Sequence, residues 1–533
     1  MESPPTSDFR QYLVTIIVNL STLNYETSDH RSWFTLNNEI LLCLISVNLS
    51  TLNYGMLVGW PSPVQPQLAN PNPAIGDIPF TDDMMAHANS MVYCGATLGS
   101  CFWGAVANRL GRKKTSVLII VPYMISWSLL VFTNSRVCLS LARFVGGIGN
   151  AGAVINNPMY VAEISSQKLK DRLGPFLFLT ACVGVLYCYV CGWLLPFHLF
   201  NKLNLLIATL STLATCFLPE SPVYYLRCNQ YDKAKQSIAW LRYYRKDNEQ
   251  HQQRMIADLN TLEASFLNQG SVTPWRDIVR ISSTRNAVLV GIGLITAIQM
   301  TGIAVVLVNA VFIFTSIGSN TENAALLLPP HLSSIIVAVV QLLSGVGSVY
   351  LLSHFNRKPL LIVSYLCMGF AHIVLGSLYF LKFINFPYEA HASFIPLVCL
   401  SLFIIAYNIA AGPTSFLILS EIFPAETRNI CMGIVMVYQH ALMWAVVRSF
   451  PLMKATVGMF GSLWTYAIAT IVSVVFISLF VPETRNKTFK EIVRRFNNSH
   501  KTQTFRVNDS FDKLQNLLTS NNLKTVQIVK TSK

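Results

Sequence analysis

The charged residues of this chain gather at the ends of apolar runs, which limits the chemistry open to them. Arg109, Arg112, Arg143, Glu163 and Glu220 belong to the first half, and Arg357, Glu421, Arg428 and Glu483 to the second. Charges so placed can pair across the two halves and part again, which is gating rather than catalysis. Each pair must then contribute modestly, or two arrangements could not interconvert. No nucleophile sits beside a base in a suitable context, and no Cys/His cluster has metal-ligand spacing. RFVGGIG, from Arg143, is Gly-rich but opens an apolar run, so it is no dinucleotide fingerprint. No catalytic residue, metal or cofactor is therefore expected. The first apolar run holds no Asp or Glu, and acids elsewhere keep to the run ends. Proton driving usually needs a buried acid, so passive movement is expected. His440, inside a run, could titrate, although a neutral, helix-bonded imidazole is the simpler reading.

These groups are carried by spanning helices. Of 533 residues, 52% are hydrophobic and 12% charged, against about 25% charged in soluble proteins. The mean hydropathy is +0.46. A soluble fold of this length could not hide so much apolar surface, so its surroundings must be lipid. Apolar runs fall at about 40–58, 87–107, 115–133, 137–157, 174–196 and 199–217, then at 288–315, 332–353, 358–381, 394–419, 430–450 and 460–481. Each approaches the roughly 20 residues that a helix needs to cross the hydrocarbon. Period-two barrel patterning is absent, and lipid tolerates no open strands. The expected fold is all-α, with twelve transmembrane helices in two halves of six.

A polar segment, 219–286, separates the halves and carries helical patterning at Ala234–Tyr244. The basic loops after the second, fourth, eighth and twelfth runs fall on one side, with the polar segment. Lys and Arg mark the cytoplasmic side, so both termini are expected inside. The net charge of +14 is explained by these loops and calls for no nucleic-acid partner.

VNLSTLNY occurs at Val18–Tyr25 and again at Val47–Tyr54. The earlier copy is short, polar and followed at once by charges, and a crossing there would turn the basic loops outward. It is read as one helix segment written twice. The expected divisions are 1–39 with this partial copy, a six-helix half at 40–218, a cytoplasmic helical linker at 219–286, a second half at 287–481, and a cytoplasmic tail at 482–533.

The span ends carry motifs. GAVANRLGRKK (Gly104–Lys114) has Asn108 within an R-x-G-R-K loop, and RFVGGIGNAG leads to PMYVAEISS. PESPVYYL starts at Pro219, EIFPAETR covers Glu421–Arg428, and PETRNKTFKEI covers Pro482–Ile492. In this order the set resembles the sugar-porter family of the major facilitator superfamily, from about residue 40 onward. GWPSPVQPQL resembles its trehalose-transporter branch. The resemblance implies two halves rocking around a central site, and a small solute, trehalose or a hexose-like sugar, moved by facilitated diffusion. It implies a multi-pass plasma-membrane protein, expected as a monomer.

Sugar porters bind their solute with amides, hydroxyls and aromatic faces, since Gln and Asn both donate and accept. By resemblance the contacts here are Gln299, Thr301, Phe416, Gln439 and His440. The family pattern is thinned. Phe178 stands for a Gln, Ile298 for a Gln, Ala304 for an Asn, Phe416 for a Trp, and Ser353-His354 for Asp-Arg. Met56 takes the place of the acid found in proton-coupled members. Each lost hydrogen bond costs about 1 kcal/mol. The alternative is therefore a transporter-like sensor or scaffold, with Ser499–Lys533 free to bind a partner. Five sequons fall in membrane or cytoplasm on this topology, so no glycan is expected.

Overall fold

The computed structural model describes residues 38–491, except 166, 243–248, 268–280, 319–327, 385, 387–393, 425–426, 486 and 488–490. The first VNLSTLNY copy and the tail beyond residue 491 lie outside the described residues. Everything regular among the described residues is helical. The first half contains α1 (Asn38–Gly59), α2 (Pro61–Ala69), α3 (Asp82–Leu110), α4 (Arg112–Phe132), α5 (Arg136–Ile164), α6 (Gln167–Leu194) and α7 (Phe197–Cys216). Three short helices follow: α8 (Pro222–Arg227), α9 (Tyr231–Arg242) and α10 (Glu249–Leu267). The second half contains α11 (Ser282–Met300), α12 (Ile303–Val308), α13 (Ala310–Gly318), α14 (Pro330–His354) and α15 (Arg357–Phe383). It closes with α16 (Ile395–Ala406), a π turn (Tyr407–Ala411), α17 (Gly412–Ile422) and α18 (Arg428–Phe480).

Local chemistry sets the breaks. Thr81 caps α3, its Oγ1 accepting from Met84 N at 3.4 Å, and Asp82 and Asp83 in the first turn suit the positive helix end. Gly111, at φ 92°, turns α3 sharply into α4. Pro413 lacks an N–H for Ile409 O, and Gly412 N instead reaches Tyr407 O, which makes the π turn. The last two apolar runs, expected as separate helices, follow one another within α18 as two helices that meet at a kink at Gly458, where φ is 73° and the backbone leaves the helical region. Ten helical segments among the described residues are long and apolar enough to cross a membrane. α1 is not among them, and α18 counts once.

Each half has its own core. Met56, Trp60, Trp127 and Phe200 pack in the first, and Leu294, Tyr365, Phe403 and Phe423 in the second. Small residues let helices approach: a Cβ on Gly147 would lie 1.9 Å from Val92 O, and one on Gly95 1.9 Å from Phe144 O. The outer faces carry apolar side chains such as Phe132, Val137 and Leu479 in the open, as lipid contact requires. α9 and α10 pack through Ala234, Ile238 and Leu259. Ser237 Oγ ties this unit to the first half by donating to Glu220 O at 2.6 Å.

Candidate functional site between the two halves

The first helix of each half is interrupted, and a polar side chain from a neighbouring helix completes each break. Pro61 has no N–H, so Leu57 O loses its helical donor. Arg143 Nη1 donates to that carbonyl at 2.7 Å, and its guanidinium lies 5.1 Å from the Trp60 ring centroid. Trp60 is held in turn by Nε1 donating to Asn201 Oδ1 at 2.8 Å. This corrects the expectation that Arg143 belongs to the charge network at the helix ends. It lies twenty residues before Glu163 on α5, about 30 Å along the helix, and it is used up in mending the break in the first span. In the second half, α11 stops at Met300 and Gly302 turns left-handed at φ 75°. His372 Nε2 lies 2.8 Å from Thr301 O there. A carbonyl only accepts, so Nε2 carries the proton.

Beside this second break the halves meet. Tyr93 of α3 packs with Ala304, Val305, Val447 and Phe450. Tyr189 OH donates to Leu307 O at 2.7 Å, and Ser62 Oγ accepts from Val311 N at 3.0 Å. His440 Nδ1 lies 3.0 Å from Ser100 Oγ, joining α18 to α3. Gln299 and Gln439 are buried, each with its Oε1 unpartnered. The geometry thus places Gln439 and His440 on α18, which packs against α3 of the first half, and Gln299 at the end of α11, beside the second break. It treats two expected contacts differently. The Thr301 hydroxyl donates to Ile298 O at 2.6 Å, which leaves only its lone pairs free. Phe416 packs on the core of the second half. Sequence reasoning missed Asn408, buried in the π turn, whose Nδ2 donates to Gln341 O at 3.0 Å and Ser344 Oγ at 2.9 Å. It also missed Tyr466, whose buried hydroxyl is unpartnered. Pro413 was the available signal for the first of these.

At the helix ends expected to be cytoplasmic, each half ties its charges to itself. Arg112 grips Glu163 with Nε at 3.1 Å and Nη2 at 2.9 Å, and Ser221 Oγ donates to Glu163 at 2.5 Å. Glu220 accepts from the backbone N–H groups of Arg112 at 2.6 Å and Lys113 at 3.1 Å. Arg109 is exposed, its carbonyl accepting from Tyr224 OH at 3.0 Å. In the second half Arg357 pairs with Glu421, and exposed Arg428 reaches Phe423 O at 3.4 Å. Glu483 accepts from the N–H groups of Arg357 at 3.3 Å and Lys358 at 3.0 Å. Burial pushes the Glu483 carboxyl up, but backbone donors from Arg485, Lys358, Arg357 and Thr484 outweigh it and hold it below its ordinary range.

Pairing across the halves, expected at this end, is found at the other. Asp83 meets Arg448 at 2.5 Å and Asp82 meets Lys454 at 2.6 Å, with Lys454 4.2 Å from the centroid of Phe312. Within the described residues the halves are thus clasped at the Asp82 end, while the charges at the Arg112 end are satisfied inside each half.

Interrupted spanning helices, two cores and a polar interface between them define a membrane transporter. Residues 48–496 match the family model described as "Sugar (and other) transporter", and the chain belongs to that family. It is a multi-pass membrane transporter of the major facilitator fold, not an enzyme. Among relatives, it is 25% identical over 415 residues to a facilitated trehalose transporter Tret1-2 homolog of Drosophila sechellia, covering 78% of this chain and 82% of that one. It is 25% identical over 465 residues to sugar transporter ERD6-like 6 of Arabidopsis thaliana, covering 86% of this chain and 90% of that one. The partially occluded inward open structure of the xylose transporter XylE from E. coli superposes with a TM-score of 0.68 at 20% identity, covering 85% of this chain and all of that one.

Proposed function

We propose that this chain moves a sugar, trehalose or a hexose-like solute, across the plasma membrane by facilitated diffusion through alternating access. Residues 40–218 and 287–481 are the two rocking bodies and 219–286 the cytoplasmic link. On this reading the chain crosses twelve times, with α1 as the first crossing and α18 divided at Gly458, and both termini are cytoplasmic. The Asp82 clasp then closes the outer mouth. The protein works as a monomer.

The observation that carries the reading is the pair of buried, unpartnered amide oxygens of Gln299, beside the second break, and Gln439, on the α18 helix that packs against α3 of the first half. An amide buried without a partner is costly, and a solute hydroxyl can supply the missing donor. Absence of coupling is supported by the first span: the position of the coupling acid is Met56, fully buried, and Arg143 is engaged by a carbonyl and an indole ring.

The test is saturable uptake of labelled trehalose and glucose by cells expressing the protein. Replacing Gln299 with leucine removes one hydrogen-bonding group of about 1–1.5 kcal/mol, so KM should rise about five- to tenfold at unchanged surface amount. Uptake of both sugars that is indifferent to Gln299→Leu would remove this residue from the site.

A further inference from the structure

A second polar cleft lies between the halves, at the clasped end and apart from Gln299 and Gln439. One wall comes from the first half, with Gln65 on α2 and Asn89 on α3; the other comes from the second half, with Phe312 on α13 and Phe450 on α18. Lys454, paired with Asp82, closes its rim. Gln65 is 6% exposed and Asn89 1% exposed. The Oε1 of Gln65 and the Oδ1 of Asn89 both lack a hydrogen-bond partner. Two amide acceptors buried on one cleft suit a molecule with two donors, which one water satisfies while the cleft is narrow and a hydroxylated ligand satisfies when it widens.

The opposite wall narrows the choice. Phe312 and Phe450 offer aromatic surface there, beside Asn309, whose Nδ2 is spent on Val305 O at 3.0 Å; while the clasp is closed the Lys454 ammonium covers the Phe312 ring at 4.2 Å from its centroid. Amide acceptors facing aromatic surface suit a molecule with hydroxyls along one edge and C–H groups on its face, as in a pyranose ring. A cation would find Lys454 already at the rim. A purely apolar solute would leave both amides unsatisfied.

We propose that this cleft is an outer recognition subsite for a sugar ring, loaded before the central site. The inference rests on the sugar-transport reading above and adds a second place of contact. With the clasp closed the cleft has room for about one water. It widens to take a ring when Asp82 and Lys454 part and its two walls separate. Gln65 stands on α2, beyond the Pro61 break, so the side chain that receives the solute rides on the segment that Arg143 holds in place.

The experiment uses the full chain in proteoliposomes, with the parent protein, Gln65→Met, Asn89→Leu and the double variant. Unlabelled trehalose or glucose is applied on one side while labelled sugar leaves from the other. Impermeant-reagent access to the outer face fixes the orientation. External sugar that half-inhibits efflux should rise about fivefold for each single variant and further for the double. Internal sugar that half-inhibits influx should stay within twofold, which also shows that the variants are folded. Equal weakening from both sides, or none, in a transporting parent overturns the subsite and leaves sugar transport standing. A parent that moves neither sugar overturns both.

Discussion

Arg112→Ala should destabilise the first half by about 3–5 kcal/mol, the cost of stranding one member of a buried ion pair. Arg112 is 1% exposed and grips Glu163 through two nitrogens. Alanine would leave the Glu163 carboxylate with Ser221 as its remaining side-chain donor. Thermal unfolding of the purified protein should fall markedly, and so should the amount at the cell surface. The double replacement Arg112→Met with Glu163→Met should be milder than the single arginine change, because it strands no charge. A single variant as stable as the parent would show that the pair is weakly coupled to the fold. The corresponding pair in the second half, Arg357–Glu421, is more open to water. Its loss should therefore cost less.

Gly147→Val should leave almost no correctly folded protein. An added Cβ would sit 1.9 Å from Val92 O and 2.7 Å from Val92 C, both backbone atoms of α3. No rotamer relieves such a clash, so α3 and α5 would have to separate. Parting them also strips contact from Gly95, where α3 meets Phe144 O from the opposite direction. The control is Gly104→Ala, on the same α3, whose Cβ would meet nothing within 4 Å. It should be neutral or slightly stabilising, since alanine is the better helix former. Size-exclusion profiles of the solubilised variants separate the two outcomes. A monodisperse Gly147→Val protein would mean that the helices are not in this register.

Much of the fold was legible because lipid imposes a simple rule. Apolar runs of the right length marked the helices, and basic loops marked their ends. The order of GAVANRLGRKK, PMYVAEISS, PESPVYYL, EIFPAETR and PETRNKTFKEI pointed to the family. The site was less legible, since its contacts join residues hundreds of positions apart. Nothing local in Asp83 or Arg448 says that they meet, nor that Ser100 touches His440. Arg143 illustrates the difficulty. Its charge suggested a gate partner, yet its role follows from Pro61, which frees the Leu57 carbonyl within its reach. Pro61 was in view, but the reach was not. Thr301 shows the converse: a hydroxyl expected to face solute is spent on the backbone turn that it occupies.

The central claim is passive movement of a sugar through a path between two rocking halves. The most direct measurement is the final internal level of labelled trehalose and glucose in proteoliposomes holding the purified protein, with and without an imposed proton gradient. The account predicts saturable entry that stops when inside and outside concentrations are equal, unchanged by the gradient. Accumulation above the outside concentration when the gradient is applied would contradict it. So would the absence of protein-dependent entry of either sugar.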